Sequence, residues 1–274
     1  MKFITQIRNP ANGQSVDVMQ YESLIPNERS AAFPSIRLHR QGDSIGHLHG
    51  ECRDAVDQAE KRSGESDWEF LAVIRTSPET NPFRDYLPPG QFILLHRPEM
   101  EDWGYDSTSK DCWSLTFQPE TDEQSRVERN DNSVDLCIAP SGDDSSNSQE
   151  PAHYLGGEPQ WIQLDSRPMM TLASNLFGVN EVTRSILEEC GIDPLQLASS
   201  PQHHIDAARK LDANNIDPSR FHPVVSEWRL LFQIDSDEST GLNWGDAGRL
   251  FVFIPESSLV ERDFAKAWCW IQSH

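Results

Sequence analysis

The sequence predicts an α+β protein whose core is a mostly antiparallel or mixed β-sheet, accompanied by a few short amphipathic helices. Short apolar runs rich in aromatic and β-branched residues recur along the chain, which is typical of strands. Clusters of proline, glycine and asparagine separate these runs, and such clusters mark turns. Only a few stretches place apolar residues at the three- and four-residue spacing of a helix face.

The N-terminal part of the chain predicts three strands. Residues 3–7 (FITQI) and 16–21 (VDVMQY) flank the turn-forming segment PANG, which is the pattern of two strands joined by a turn. Ile36 and Leu38 then alternate with polar and charged residues in the stretch 35–40 (SIRLHR). This alternation predicts a strand with one buried face.

A helix and three further strands are predicted next. Residues 51–63 (ECRDAVDQAEKRS) carry small apolar residues at helical spacing and charges elsewhere. Short apolar runs then predict strands at residues 68–74 (WEFLAVI), 91–96 (QFILLH) and 112–117 (CWSLTF).

The composition changes between residues 119 and 152, where acidic residues and serines accumulate. Residues 134–138 (VDLCI) predict one short strand in this stretch, and residues 141–150 predict a flexible surface loop. The sequence therefore suggests an N-terminal β-rich half at 1–118, an acidic connector at 119–152 and a C-terminal half at 153–274. The three parts are also compatible with one compact unit.

The C-terminal half predicts helices followed by the densest apolar stretch of the chain. Amphipathic helices are expected at residues 182–190 and 202–214. Strands are expected at residues 228–234 (WRLLFQI), 250–254 (LFVFI) and 268–271 (WCWI). Ser257 or Ser258 is expected to cap a short helix between the last two strands.

The charge of the chain limits its partners. The 274 residues include 23 basic and 44 acidic side chains, which gives a net charge of −21. Such a surface repels nucleic acid and anionic membranes, so we expect neither as a partner. It favours association with a basic protein, although the same charge is also found on acidic proteins that have no such partner.

The cysteines and the apolar runs predict a cytoplasmic protein. The five cysteines, at positions 52, 112, 137, 190 and 269, are scattered and include no CxxC pair. This odd, sparse set is typical of reduced thiols. The first residues lack the apolar segment of a signal peptide, and no run approaches the roughly 18 apolar residues of a membrane span.

One group of residues has the chemistry of a zinc site. His47, His49 and Cys52 lie close in sequence, and imidazole and thiolate are zinc ligands. A further ligand would have to come from a distance, for example from His203 or His204. Two alternatives remain open, namely a turn that precedes the helix at 51–63 and a Cys–His catalytic pair.

A second group resembles the start of a calcium loop. Asp235 and Asp237 have the spacing of its first two ligands, and Asp246 falls at the twelfth position. However, Thr240 takes the place of the required glycine, and the flanking segments predict strands. The alternative is that these carboxylates accept hydrogen bonds from turn N–H groups.

Four motifs in order, HYLGGEPQWIQ, WRLLFQIDSDE, NWGDAGRLFVFI and the RDF–W–W ending, resemble the YwqG-like family of bacterial proteins of unknown function. They are also distantly similar to the C-terminal region of programmed-cell-death protein 2. The resemblance covers about residues 153–274 and implies a compact cytosolic α+β protein without accepted catalytic residues. The polar and aromatic positions shared by the motifs form a candidate binding cluster, which consists of His153, Asp235, Asp237, Trp244 and Asp246.

Three functions follow as hypotheses. The first is a non-enzymatic protein-binding module, and the neighbourhood of toxin and immunity genes, implied by the resemblance, narrows it to an immunity or antitoxin protein for a basic partner. The second is an enzyme that uses the clustered carboxylates with His153 or a metal, although no nucleophile elbow, P-loop, dinucleotide fingerprint or zinc helix is present. The third is an assembly or chaperone-like factor.

Overall fold

The structure is a computed structural model, and it describes residues 4–8, 15–19, 34–39, 41–98, 104, 109–121, 124–138, 151, 153–162, 165–174, 179–194, 201–238 and 240–273. The chain divides into two compact units, each assembled from separate stretches. The loop expected at 141–150 lies outside the described residues. The division of the sequence at residues 118 and 152 stays a prediction.

Twelve strands and six α-helices lie in the described residues. The strands are β1 (Ile4–Arg8), β2 (Ser15–Met19), β3 (Ile36–His39), β4 (Asp43–Leu48), β5 (Glu69–Thr76), β6 (Gly90–His96), β7 (Trp113–Pro119), β8 (Val134–Ile138), β9 (His153–Leu155), β10 (Trp228–Asp235), β11 (Arg249–Pro255) and β12 (Trp268–Gln272). The helices are α1 (Arg53–Ser63), α2 (Arg167–Ala173), α3 (Val179–Glu189), α4 (Pro201–Ala213), α5 (His222–Glu227) and α6 (Glu256–Glu261).

The first unit combines a hairpin with helices. β1 and β2 pair as a two-stranded antiparallel sheet, with Ile4 opposite Met19. Helices α2 to α5 belong to the same unit. Ile186 and Leu187 of α3, Leu211 of α4 and Val225 of α5 pack into a common apolar core.

The second unit is built on one ten-stranded antiparallel sheet. Its strands follow the order β12-β11-β10-β9-β3-β8-β4-β5-β6-β7. The sheet curls around its own core: Phe92 of β6 and Phe232 of β10 stand six places apart in that order, yet their ring centroids are 6.0 Å apart. The edge strands β7 and β12 are consequently brought towards each other. A 3-10 turn at Ser109–Asp111 contacts β12, and another at Phe264–Lys266 contacts β7.

The two faces of this sheet are covered differently. The inner face carries the main core, with Leu48, Phe92, Phe232 and Val252 almost wholly buried. Each such side chain stabilises the fold by about 2 kcal/mol relative to an exposed one. Helix α1 covers the outer face of the β5–β6 region, where its alanines pack with a smaller apolar group, Trp68, Phe70, Val73, Ile93 and Leu95.

Most of the predicted elements are confirmed, and the sheet-dominated α+β class is too. The strands at 36–39, 69–76, 90–96, 113–119, 134–138, 228–235, 249–255 and 268–272 lie where the apolar runs predict them. Strand β10 is buried on both faces, since Leu231 and Gln233 are as buried as their neighbours. The amide of Gln233 is satisfied there, because its Oε1 accepts the N–H of Gln160 at 3.0 Å.

Four elements have no counterpart in the sequence analysis. Strand β4 (DSIGHL) contains glycine, histidine and acidic residues, and β9 is only three residues long. Helices α2 and α5 are short and contain proline in the first turn. The predicted serine cap is also wrong, because Pro255 stands at the N-cap of α6 and no side-chain hydrogen bond caps that helix.

Candidate functional site

The structure brings three members of the predicted binding cluster together at one end of the sheet. His153 is buried on β9, and its Nδ1 accepts the backbone N–H of Asp235 at 3.0 Å. A neutral imidazole that accepts at Nδ1 carries its proton on Nε2. That Nε2 lies 3.9 Å from Oδ2 of the buried Asp237. The three residues therefore tie β9 to the end of β10.

Asp235 is held by a cation of the protein itself. Its two carboxylate oxygens accept hydrogen bonds of 3.0 and 3.1 Å from Nε and Nη2 of Arg249. This bidentate pair joins β10 to β11 and neutralises the carboxylate that the calcium hypothesis uses as its first ligand. The flanking elements are strands rather than the two helices of a calcium loop.

The remaining two members of the cluster lie in the β10–β11 connector. Trp244 is buried, and its backbone N–H donates to Oγ of Ser236 at 3.0 Å. Its ring lies 6.1 Å from that of Trp113. Asp246 is exposed in the turn that follows. A binding role for the five residues stays a prediction, since four of them are buried or held in contacts inside the protein.

The zinc hypothesis concerned His47, His49 and Cys52, which occupy different settings. His47 lies inside strand β4 and not in a turn, which corrects the alternative interpretation of this segment. His49 follows β4 with a φ of +55° and lines a cleft, whereas Cys52 immediately precedes α1. Within the described part of the chain, no group of three or more His, Cys, Asp and Glu side chains is arranged to hold a metal ion.

The geometry of Cys52 also argues against a Cys–His catalytic pair. The side chain is buried, and burial raises the pKa of the thiol, with a smaller contribution from the Asp54 carboxylate. A raised pKa disfavours the thiolate, which is the nucleophilic form. We therefore do not assign a nucleophile to this position.

A cleft lies beside α1, and the sequence did not predict it. Its volume is about 640 Å³. The least exposed side chains of its lining are apolar and form its floor, namely the buried Cys52, Trp68 and Phe70 and the half-buried Val56. We call this feature the α1 cleft.

The rim of the α1 cleft is acidic. Four carboxylates, those of Glu51, Asp57, Glu60 and Glu69, line it together with one cation, Arg53. None of the four forms an ion pair with another residue that the structure describes. Unpaired like charges repel each other, so a cation bound at the rim would reduce the repulsion among the four carboxylates.

The rim is assembled from two elements of the fold. Asp57 and Glu60 lie on α1. Glu51 precedes the helix and forms an isolated β-bridge with Glu128, in which the two residues exchange two backbone hydrogen bonds of 2.8 Å. Glu69 comes from β5. The acidic residues of the helix were visible in the sequence, but the packing of α1 against β5 that creates the floor was not.

Together, the fold and the cleft define a sheet-dominated α+β protein with an acid-rimmed, apolar-floored depression. Residues 77–273 match the family described as Domain of unknown function (DUF1963), and the chain belongs to that family. The search of curated proteins found no match. The family match is consistent with the predicted membership of an uncharacterised family, while the YwqG-like name and the likeness to programmed-cell-death protein 2 stay predictions.

The family match leaves the cleft largely outside. It contains Asn130 and Asn132 of the cleft wall but begins after Glu69 and Phe70. None of the described helices has the length and apolar character required to cross a membrane.

Proposed function

We propose that this chain is a cytoplasmic protein-binding module whose α1 cleft holds a lysine- or arginine-bearing segment of a basic partner. The observation that carries the proposal is the set of four unpaired carboxylates above an apolar floor. Lysine and arginine side chains combine an aliphatic stem with a terminal charge, so one side chain can place its stem on apolar surface and its charge among carboxylates. The net charge of −21 supports it by attracting basic proteins from a distance.

In a narrower form of this proposal the basic partner is a toxin, and the chain is the immunity or antitoxin protein that neutralises it. A chaperone-like factor would require a broad apolar surface for unfolded chains. Among the described residues, Val260 is the one large hydrophobic side chain that is strongly exposed. The enzyme hypothesis has less support, because His153 and Asp237 are buried and burial raises the pKa of the Cys52 thiol.

The first test neutralises the rim. In the cleft variant, Glu51→Gln, Asp57→Asn, Glu60→Gln and Glu69→Gln are combined, and binding of a fluorescent octalysine peptide is measured by anisotropy at fixed salt. Four exposed charge pairs at about 0.5 kcal/mol each give about 2 kcal/mol. We therefore expect roughly thirtyfold weaker binding.

A matched variant separates the cleft from the general field of the protein. Asp43→Asn, Glu120→Gln, Glu238→Gln and Glu261→Gln remove the same charge from exposed positions outside the cleft. We expect this variant to lose about threefold or less, since distant exposed charges are screened. Equal losses in the two variants would show that octalysine senses only the net charge, and the cleft proposal would then fail.

The apolar floor is tested with the same protein and a second peptide. An octamer of ornithine keeps the positive charges but shortens each stem by one methylene group. At about 0.8 kcal/mol per buried methylene, burial of one stem predicts about fourfold tighter binding of octalysine to the wild-type chain. Equal affinity for both peptides would contradict a role for the floor.

A further inference from the structure

A second cavity lies between the two edges of the curled sheet. It has a volume of about 210 Å³, and both edge strands contribute to its wall. Trp113, Ser114 and Leu115 come from β7, whereas Trp268 and Cys269 come from β12. We call it the seam pocket.

The walls of the seam pocket are suited to a flat apolar group. Leu115, Phe264 and Trp268 are nearly buried, and the rings of Trp68 and Trp113 also line the pocket. An apolar cavity of about 150 Å³ is large enough to bind benzene. The seam pocket therefore has room for one aromatic ring with a small substituent.

The charged residues of the seam pocket are of the opposite kind to those of the α1 cleft. Arg62 and Lys110 line the pocket, with Asp111 as the one acidic residue of its described lining. Neither cation forms an ion pair within the described part of the chain.

The side chain of Arg62 is held in place by a hydrogen bond. Its Nη2 donates a hydrogen bond of 2.8 Å to Oγ of Ser114 on β7. This contact fixes the guanidinium at the wall of the pocket and leaves further N–H donors available, because arginine carries five. A planar carboxylate is the ligand group that matches such a guanidinium.

We propose that the seam pocket binds a small aromatic carboxylate. Its ring lies among Trp113, Phe264 and Trp268, and its carboxylate accepts hydrogen bonds from Arg62 and Lys110. Aromatic rings favour offset or edge-to-face contact with one another, and each charge-assisted hydrogen bond is stronger than a neutral one. The proposal does not depend on the basic-partner function, which rests on the α1 cleft, although Trp68 belongs to the described linings of both cavities.

The test uses phenylacetate and the neutral analogue phenylacetamide with the full chain, by calorimetry and by chemical shifts of the indole N–H groups. We expect phenylacetate to bind about tenfold more tightly than the amide and to shift the signals of Trp113 and Trp268. Equal affinity for both compounds would overturn the proposal, and so would the absence of phenylacetate binding at a ligand concentration of about 10 mM.

Two pairs of variants locate the carboxylate. Arg62→Gln with Lys110→Gln should abolish the preference for phenylacetate over phenylacetamide. Lys61→Gln with Arg126→Gln removes the same charge from exposed residues that do not line the pocket, and it should leave that preference unchanged. If the control pair removes the preference as well, the anion is bound by the general field and not by the pocket.

Discussion

Gly46→Ala is expected to lower the free energy of unfolding by about 3 kcal/mol or more. Overpacking of a core typically costs about 1–3 kcal/mol, and the cost lies at the upper end here because the new methyl group would meet backbone atoms, which cannot rotate away as a side chain can. A methyl group on Gly46 would lie 2.0 Å from the carbonyl oxygen of Val73 and 2.9 Å from its carbonyl carbon. Strand β4 would have to move away from β5, with which it pairs at this residue. The measurement is urea unfolding followed by tryptophan fluorescence.

Gly64→Ala is the matched control for this prediction. Gly64 ends α1 with a φ of +80°, and a methyl group there would meet no atom within 4 Å. An alanine in this conformation costs about 1 kcal/mol. A loss at Gly46 no larger than the loss at Gly64 would mean that β4 and β5 are not as closely paired as described.

The second large effect is the pH dependence that His47 imposes on stability. The imidazole is 1% exposed, and neither ring nitrogen makes a well-aligned hydrogen bond with any described residue. Burial lowers the pKa of His47 to about 4, with further lowering by the charges of Arg129 and Arg75. The Asp135 carboxylate and the carbonyl of Glu128 act in the opposite direction.

The sign of the effect follows from the two states of the chain. An unfolded histidine takes up a proton as the pH falls through about 6.5, whereas folded His47 resists protonation until the pH approaches about 4. Between these two pH values, protons bind preferentially to the unfolded chain. The free energy of unfolding therefore has its full value above about pH 6.5 and falls as the pH decreases. Over that window the loss is about 3 kcal/mol.

His47→Leu removes the titration while keeping a side chain of similar size. We expect the variant to keep about 3 kcal/mol more of its pH 7 stability at pH 4 than the wild type does. Urea unfolding at about pH 8, 7, 5.5 and 4 supplies the comparison, and the free energies of unfolding of the two proteins should change in parallel between pH 7 and 8. Parallel curves down to pH 4 would show that His47 is protonated in the folded protein.

The strands of this fold are more predictable from sequence than their arrangement. Residues 250–254 (LFVFI) leave little choice, because a short continuous run of bulky apolar residues suits a buried strand. The pairing of β3 with β8 and β9, however, joins residues about 100 positions apart, as between Leu38 and Ile138. Local patterns carry no information on such contacts, so the single curled sheet was not foreseen.

The same distinction applies to the candidate sites. The motifs around His153, Asp235 and Asp237 were identified in the sequence, and the structure shows that they contact one another. What the sequence did not show is that Arg249 already satisfies Asp235. The α1 cleft could not be predicted from the sequence, because its floor combines Val56 of a helix with Phe70 of a strand, and only tertiary packing brings them together.

A photocrosslinking experiment tests the central claim most directly. p-Benzoylphenylalanine replaces Val56 at the floor of the α1 cleft or, as a control, Val260, which is 61% exposed and lies outside the cleft. Each full-length protein is irradiated in its source cells, and the joined peptides are identified by mass spectrometry. The proposal predicts that position 56, but not position 260, joins to one protein through a peptide that carries lysine or arginine. Adducts at position 56 that match those at position 260, or that join peptides without basic residues, would contradict it.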